Sequence, residues 1–341
     1  MSRLSLAVVC AIFAAGAPSF AAAHDFCVTS SAELRVALAA ASNGGANQDE
    51  INHINMAAGT YATSDVGDRF FYINTSATSG LHLWGGFNSD CTSMAEDASM
   101  TVLDGVAETQ VLVARSLLGD VDLLNFTAQN ADTTQPGAGI AVNDTGSTTG
   151  DVFLRNLILR NNHTSSTYGG LRAFVRGTHV LYFDNNVVVG NSADQGYSAG
   201  QLVGAAQVYA RYDTVAYNTS ISANGGALFC IGTACEIAND IFWHNDTVDL
   251  YLVDEGNLYF DDIGVLQGTV PTTTQGVVAT DPLFVDAATG DFHLGDGSPL
   301  IGVSTYYASQ SDNDVEGHAL PLTGRTDMGG YIETVFHDVF E

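Results

Sequence analysis

Two short segments of this sequence place reactive side chains at spacings that enzymes use. The run GYSAG, residues 196–200, fits the GxSxG turn of esterases and would make Ser198 a nucleophile. That turn leads from a strand into a helix, whereas strand-like residues 208–212 follow it here. Asp261 and Asp262 are adjacent carboxylates, but neighbouring side chains of a strand point to opposite faces. They therefore do not form the facing pair of a glycosidase.

A carboxylate-rich segment near the carboxyl end begins like a calcium loop. In DNDVEG, residues 312–317, Asp312, Asp314 and Glu316 alternate as the first oxygen ligands of such loops do. The twelfth position is Thr323, where a bidentate glutamate belongs. The segment predicts either a calcium site or a polar turn, and calcium is the one cofactor that the sequence suggests.

The elements that position such residues follow from a six-residue pattern. Each copy has Asn or Asp, three mostly apolar residues, a variable residue and Asn. The copies are NFTAQN (125–130), NLILRN (156–161), NVVVGN (186–191), DTVAYN (213–218) and DIFWHN (240–245). Their final residues, Asn130, Asn161, Asn191, Asn218 and Asn245, are 31, 30, 27 and 27 residues apart. A period of this length is typical of solenoids.

A second column of small residues keeps phase with the first, seven to nine residues after each of the first four closing asparagines. It consists of Gly137 and Gly139, Gly169 and Gly170, Ala199 and Gly200, and Gly225 and Gly226. We expect glycine to permit positive φ at this corner. β-Favouring stretches, such as 152–154, 180–183 and 228–231, lie between the columns. The sequence therefore predicts an all-β, right-handed parallel β-helix whose coils cover one another.

The final asparagines suit the turns of stacked coils. An asparagine amide donates a hydrogen bond to one neighbouring coil and accepts one from the other. We therefore expect all five to form a structural ladder.

The variable fifth positions of the hexads are expected to form an exposed stripe. They are Gln129, Arg160, Gly190, Tyr217 and His244. Arg160, Tyr217 and His244 are the candidate ligand-binding residues, because cationic and aromatic groups together suit a sugar chain. The alternative is that the fifth positions vary only because they lie on the surface and have no binding role.

The charge of the chain excludes nucleic acid as a partner. There is no lysine, and ten arginines stand against 38 acidic residues, for a formal net charge of −28. Such a surface does not bind a phosphate backbone. Solubility outside the cell and loose affinity for divalent cations are the two explanations of this acidity.

The amino-terminal residues have the layout of an export signal. Arg3 precedes an apolar run over residues 4–20, and three alanines follow it. We predict a signal peptide over residues 1–23, and no later segment approaches the roughly 20 apolar residues of a membrane span. The protein is then secreted, to the periplasm, the cell surface or the medium.

Four cysteines remain after the predicted signal peptide, which an oxidising compartment favours as disulfides. We expect Cys27 to pair with Cys91, which ties the amino-terminal region together, and Cys230 with Cys235, which closes a short loop. A zinc site is the alternative, but the chain has no CxxC spacing for it.

The remainder, residues 24–334, is predicted to be one capped domain, followed by a short acidic-aromatic tail over residues 335–341. Ser30 and Glu33 form a capping box that opens a helix with Leu34, Leu38 and Ala41 on one face. Such a helix would cover the open edge of the first coil.

At this point the chain resembles the secreted right-handed parallel β-helix repeat proteins of bacteria, which have the pectate-lyase-like fold. The resemblance is carried by DPLFVDAATGDFHLGDGSPLIGV (281–303) and DNDVEGHALPLTGRTDMGGYIE (312–333). CVTSSAELRVAL (27–38), AAGTY (57–61) and WGGFNSDC (84–91) are similar to the opening segment of that family. The resemblance thus covers nearly all of the predicted mature chain.

Membership of that superfamily implies fold and export more firmly than a reaction. Its enzymes cleave acidic polysaccharides, either by calcium-assisted elimination with an Arg or Lys base or by hydrolysis with paired carboxylates. Arg160, Arg172, Arg176 and Arg211 are the arginines that such a lyase would draw on. Our first hypothesis is a non-catalytic monomer that binds glycans or a cell surface along its side. A polysaccharide lyase or hydrolase is the second, and a passive scaffold the third.

Overall fold

The computed structural model describes residues 23–76, 78–116, 118–142, 150–222, 225–321 and 323–333. The predicted signal peptide, apart from Ala23, and the predicted tail lie outside these residues. Helix α1 spans Ser31–Ala41, and a 3-10 turn covers Thr63–Asp65.

Short strands separated by turns make up most of the described chain. The amino-terminal strands are β1 (Ala23–Val28), β2 (Ile51–Ala57), β3 (Gly59–Ala62), β4 (Phe70–Asn74), β5 (Gly80–Phe87), β6 (Thr101–Asp104) and β7 (Leu112–Ser116). The next strands are β8 (Val121–Gln129), β9 (Asp132–Thr133), β10 (Ile140–Val142), β11 (Val152–Arg160), β12 (His163–Thr167), β13 (Leu171–Val175), β14 (Val180–Asp184), β15 (Val187–Val189), β16 (Ser192–Gln195), β17 (Tyr197–Gly204), β18 (Gln207–Arg211), β19 (Thr214–Ala216) and β20 (Thr219–Ser220). The last are β21 (Gly226–Gly232), β22 (Cys235–Ala238), β23 (Ile241–Trp243), β24 (Leu250–Leu252), β25 (Gly256–Tyr259), β26 (Asp262–Ile263), β27 (Leu266–Gly268), β28 (Thr273–Gln275), β29 (Phe284–Asp286), β30 (Asp291–Leu294), β31 (Ser304–Thr305) and β32 (Arg325–Thr326).

Strands β1 to β28 stack into three sheets that run along the molecule, while β29 and β30 form an antiparallel hairpin and β31 pairs with β32 in antiparallel fashion. Sheet 1 has the order β1-β2-β5-β8-β11-β14-β18-β22-β25-β28 and is joined by β3, β6, β15, β19, β23 and β26. Sheet 2 has the order β4-β7-β10-β13-β17-β21-β24-β27, and sheet 3 the order β9-β12-β16-β20. Neighbouring strands are parallel, as where Val152 of β11 lies opposite Leu181 of β14. The predicted class is confirmed: the protein is an all-β parallel β-solenoid of about eight turns.

Alternation along each strand separates the interior of the solenoid from its surface. Leu154 and Phe183 face each other in register and are fully buried. Their outward neighbours, Phe153 and Tyr182, stack ring on ring with centroids 4.9 Å apart, and Tyr209 continues the stack at 5.4 Å. Burial of each coil therefore depends on its neighbours, as expected for a repeat that has no core of its own.

The predicted capping helix is confirmed. Ser30 accepts a hydrogen bond from the backbone N–H of Glu33, and Leu34, Leu38 and Ala41 are buried. Helix α1 packs against β1, β2 and β4, so it covers the first coils of the solenoid.

Both predicted disulfides are also confirmed. Cys27 and Cys91 are bonded with their Cα atoms 5.7 Å apart, and Cys230 and Cys235 with theirs 6.6 Å apart. Cys230 and Cys235 are buried in the main apolar core, where β21 of sheet 2 leads into β22 of sheet 1.

The structure places the asparagine ladder one residue away from the prediction in two coils. Asn162 donates from its side chain to Oδ1 of Asn191 at 2.9 Å, and Asn191 donates in turn to Asn218 at 3.0 Å. Asn218 donates to Asn245 at 2.9 Å. Asn161 precedes this ladder and has a positive φ of 56°.

The same shift applies one coil earlier. Asn130 has a φ of 57°, and it is the backbone N–H of Ala131 that donates to Oδ1 of Asn162, at 3.1 Å. Asparagine tolerates left-handed backbone at a corner and also hydrogen-bonds in a ladder. The six-residue pattern therefore matched the corner residue in the first two copies and the ladder residue in the last three.

A second ladder lies at the other corner of sheet 1. Asn186 donates from its side chain to Oδ1 of Asp213 at 2.9 Å. The backbone N–H of Asp213 donates to Asp240 at 2.8 Å, and that of Asp240 donates to Asp261 at 3.0 Å. All four side chains are fully buried.

The predicted positive φ is found at Gly137, at 74°, but not at the other glycines of the column. Gly170 and Gly200 do not have positive φ. A Cβ atom on Gly170 would lie 2.5 Å from the carbonyl oxygen of Ala199, and one on Gly200 would lie 2.6 Å from that of Leu171. These glycines are therefore required by the close approach of successive coils.

Residues 304–314 form a strap along the side of sheet 1. The side chain of Asn156 donates to the carbonyl oxygen of Asn313 at 2.9 Å, and Asn239 donates to that of Thr305 at 3.0 Å. Between them, the backbone N–H of Tyr307 donates to the hydroxyl of Tyr212 at 2.8 Å. Asn156, Tyr212 and Asn239 are corner residues with positive φ, so one corner of successive coils holds the strap.

Candidate functional site

A cleft of about 260 Å³ separates the outer side of sheet 1 from the hairpin β29–β30, and we call it the cap cleft. The structure brings Arg160 and Tyr217 together in its lining, where Phe292 and Tyr331 join them. Ile158 lines the same cleft. Two of the three candidate ligand-binding residues therefore share one site, although they occupy adjacent columns rather than a single stripe.

Tyr217 presents an accessible ring to the cap cleft. It lies at a corner with φ 55°, and 39% of the residue is exposed. Its ring stacks on that of His244, with centroids 5.4 Å apart and an interplanar angle of 23°. His244 does not line the cleft; it supports Tyr217 from the next coil.

Arg160 supplies a positive charge to the cap cleft. Its Nε donates to Oε1 of Gln129 at 2.8 Å, and Gln129 donates to Asp104 at 2.8 Å. This chain of hydrogen bonds fixes the guanidinium. Arg160 is the one charged side chain among the described residues that line the cleft.

Below Tyr331, histidine and carboxylate side chains hold the carboxyl-terminal segments together. The ring of His293 lies 4.3 Å from that of Tyr331, and its nitrogens contact Asp291 at 2.7 Å and Glu316 at 3.0 Å. Burial disfavours the charged ring, but the hydrogen bonds to the two carboxylates outweigh it and raise the pKa of His293.

The predicted calcium residues do not converge on one point. Asp314 is buried, and its Oδ1 accepts from the backbone N–H of Glu316 at 2.9 Å and of His318 at 2.8 Å. Glu316 is engaged with His293, and Asp312 is exposed. Within the described ranges, no group of three or more His, Cys, Asp or Glu side chains is arranged to hold a metal ion. The geometry is that of a polar turn organised by Asp314.

Arginines beside carboxylates occur on sheet 1, but as ion pairs. Arg155 contacts Asp122 at 2.6 Å, and Arg211 contacts Glu236 at 2.7 Å while lying 4.1 Å from the ring centroid of Tyr209. Each of these guanidinium groups is therefore already engaged by a carboxylate.

The other arginines considered for a lyase lie apart from these. Arg172 packs over the ring of Phe174 at 4.8 Å on sheet 2, and Arg176 is exposed at the end of β13. Arg160 lies in the cap cleft, at the end of β11 of sheet 1. The described arginines therefore do not assemble one catalytic site.

The two enzyme-like segments are structural. Ser198 is fully buried within β17, where its hydroxyl donates to the carbonyl oxygen of Gly226 at 3.1 Å. Asp261 and Asp262 are fully buried as well, and burial raises their pKa values to about 8 and about 7. Substrate reaches neither place.

Sheet 2 carries a larger cleft that the sequence did not reveal, and we call it the aromatic cleft. Its volume is about 770 Å³, and Tyr197, Phe229 and Tyr251 line it. Phe229 and Tyr251 are in register on neighbouring strands, yet only 22 residues separate them, because this coil is shorter than those of the predicted repeat. The 27-to-31-residue period could not have aligned them.

Comparison of the chain with protein-family models and with curated protein sequences found no match. Among the described residues, no helix has the length and hydropathy needed to cross a bilayer.

Proposed function

We propose that this protein is an exported, non-catalytic glycan-binding solenoid that holds a sugar unit in the cap cleft. One observation carries the proposal: Arg160 and Tyr217, far apart in sequence, line one cleft together with Phe292 and Tyr331. An accessible aromatic ring packs against the apolar face of a sugar ring, and a fixed guanidinium donates hydrogen bonds to its oxygens. The cleft is therefore suited to a single saccharide unit at the side of the solenoid.

Binding without turnover fits the environment of the potential catalytic groups. Ser198, Asp261 and Asp262 are buried, and Arg155 and Arg211 are ion-paired. The cap cleft has no carboxylate among its described lining residues. A lyase or hydrolase acting on an acidic polysaccharide is the competing hypothesis, and no contact in the described residues favours it.

Export and kinship with the bacterial β-helix repeat proteins are part of the proposal. They rest on the predicted signal peptide, the resemblance of both end segments and the two disulfides, which an oxidising compartment permits.

The test is a glycan-binding screen with a parallel assay for products. We expect some glycans to be retained while no reducing ends or unsaturated sugars form, with or without calcium. Arg160→Ala combined with Tyr217→Ala should weaken retention about tenfold or more, because a ring contact and a charged hydrogen-bond donor are both lost.

Arg35→Ala is the matched control, because it removes an exposed arginine from helix α1. It should bind as the unaltered protein does. Release of products from any polymer, or undiminished retention by the double variant, would contradict the proposal.

A further inference from the structure

The aromatic cleft is built along one outward column of sheet 2. Phe229, Tyr251 and Gln267 line it and lie opposite one another on β21, β24 and β27, and Tyr197 lines it from the preceding strand β17. At about 4.8 Å per strand, four strands extend over about 14 Å along the solenoid. This length suits several units of a chain rather than one small molecule.

The rings of the aromatic cleft form a floor and a wall. Phe229 and Tyr251 stack along the column, with centroids 5.6 Å apart and an interplanar angle of 21°. Tyr197 is tilted by 43° against Phe229 and by 63° against Tyr251. The three rings therefore border the cleft from two directions.

Two threonine hydroxyls beside these rings act as acceptors of hydrogen bonds. The hydroxyl of Thr247 donates to the carbonyl oxygen of Gly225 at 2.7 Å, and that of Thr269 donates to Val253 at 2.6 Å. Each hydroxyl has thereby used its one proton, and only its lone pairs remain. Gln267, which is exposed in the lining, offers both a side-chain oxygen and a side-chain N–H group.

The aromatic cleft is also uncharged. No Asp, Glu, Arg or His is among the described residues that line it, although the whole chain carries a formal net charge of −28. A polyanion is repelled by that charge and finds no cation in this cleft.

We propose that the aromatic cleft is a second binding site, independent of the cap cleft, for an uncharged polysaccharide chain. Sugar hydroxyls donate to the hydroxyl oxygens of Thr247 and Thr269 and to the side-chain oxygen of Gln267, which all line the cleft. The apolar faces of the sugar rings pack on Tyr197, Phe229 and Tyr251.

A neighbouring groove extends this site. It has a volume of about 770 Å³ and shares Val253 and Thr269 with the aromatic cleft. Val203 and Ile231 contribute apolar surface, and Arg176, Asp254 and Glu255 contribute charged groups. A chain that leaves the aromatic cleft at Thr269 thus continues beside Val203 and Ile231.

The experiment measures binding of the full chain to soluble uncharged polymers, a β-glucan, a galactomannan and a dextran, and to pectate and alginate as acidic ones. We expect at least one uncharged polymer to bind, with an affinity that changes less than about twofold between about 0.05 and 0.5 M salt, because screening acts on charges. Phe229→Ala and Tyr251→Ala should each weaken binding about tenfold.

Two further variants separate binding from folding. Tyr251→Phe keeps the ring and should retain binding. Tyr182→Ala, which removes a half-buried outward ring from sheet 1, should bind as the unaltered protein does.

Tighter binding of the acidic polymers, equal binding by the alanine variants, or no binding of any uncharged polymer would each overturn this assignment. If only the variant with alanine at Arg160 and Tyr217 loses binding, the cap cleft proposal stands and this assignment is rejected. If only the Phe229 and Tyr251 variants lose binding, this assignment stands and the cap cleft proposal is rejected.

Discussion

Asp213→Asn combined with Asp240→Asn is expected to make this protein markedly more resistant to unfolding at alkaline pH. In the ladder, Asn186 uses its Nδ2 to donate both to Asp213 and to the carbonyl oxygen of Leu154, at 2.9 and 3.1 Å. In Asp213 and Asp240, Oδ2 takes the place of that nitrogen, and it is buried without a partner among the described atoms. A carboxyl group can donate from this position only while it is protonated, whereas asparagine donates at every pH.

The carboxyl groups of the ladder are held in their neutral form by burial. Burial raises the pKa values of Asp213 and Asp240 well above the usual range, and neighbouring carboxyls add to this effect. The nearby titrating groups are Asp184, whose pKa burial raises to about 6 despite Arg211, together with Asp261 and Asp262.

The direction of the pH dependence follows from these shifts. In the unfolded chain an aspartate loses its proton near pH 4, whereas in the fold Asp261 keeps it until about pH 8. The stability contributed by the neutral ladder is thus complete below about pH 4 and is lost as the pH rises through the folded-state pKa values. We expect the melting temperature to fall across this window.

Thermal melts at a series of pH values test the prediction. The double asparagine variant should melt at least about 5 °C above the unaltered protein at pH 9, and the difference should shrink towards pH 4. Asp254→Asn combined with Asp296→Asn removes two exposed charges and is the control. If both double variants follow the same curve, the neutral ladder is refuted.

Asn191→Leu is expected to destabilise the protein by at least about 3 kcal/mol. Oδ1 of Asn191 accepts from the backbone N–H and the side chain of Asn162 at 3.1 and 2.9 Å. Its Nδ2 donates to Leu159 at 2.8 Å and to Asn218 at 3.0 Å. Leucine leaves several of these buried groups unpaired, at about 1–3 kcal/mol each.

Asn161→Leu is the matched comparison for that variant. Asn161 is exposed and lies at the corner rather than in the ladder. Its loss should cost only about 1–2 kcal/mol, because leucine is strained at positive φ. Denaturant midpoints of the two variants measure the difference, and equal midpoints would show that the ladder does not contribute as argued.

The sequence predicted the solenoid because the period is imposed by the fold itself. Each coil needs a corner and a ladder residue, and asparagine serves in both roles, so Asn161 and Asn191 repeat visibly. The same versatility caused the shift of one residue, since the pattern cannot distinguish an asparagine at positive φ from one in a ladder. Gly170 was predicted to need positive φ at a corner, because a sequence does not show which property of glycine is used. In the structure, glycine is required there by the close contact between successive coils.

The candidate sites were less predictable because they combine distant segments. Arg160 and Tyr217 meet Phe292 only because the hairpin β29–β30 folds back onto sheet 1. Phe229 and Tyr251 were missed because their coil is short. In both cases the missing information is the length of the connections between coils, which carry no repeat of their own.

The strap has a consequence for how the chain is made. Asn156, Tyr212 and Asn239 take their partners from residues 304–314, which the ribosome adds long after the coils themselves. Until those residues have been synthesised, one corner of sheet 1 lacks its hydrogen bonds to the strap, and the nascent chain unfolds more easily. Premature termination before residue 304 should therefore yield a product that proteases degrade quickly, even though most of its coils are present.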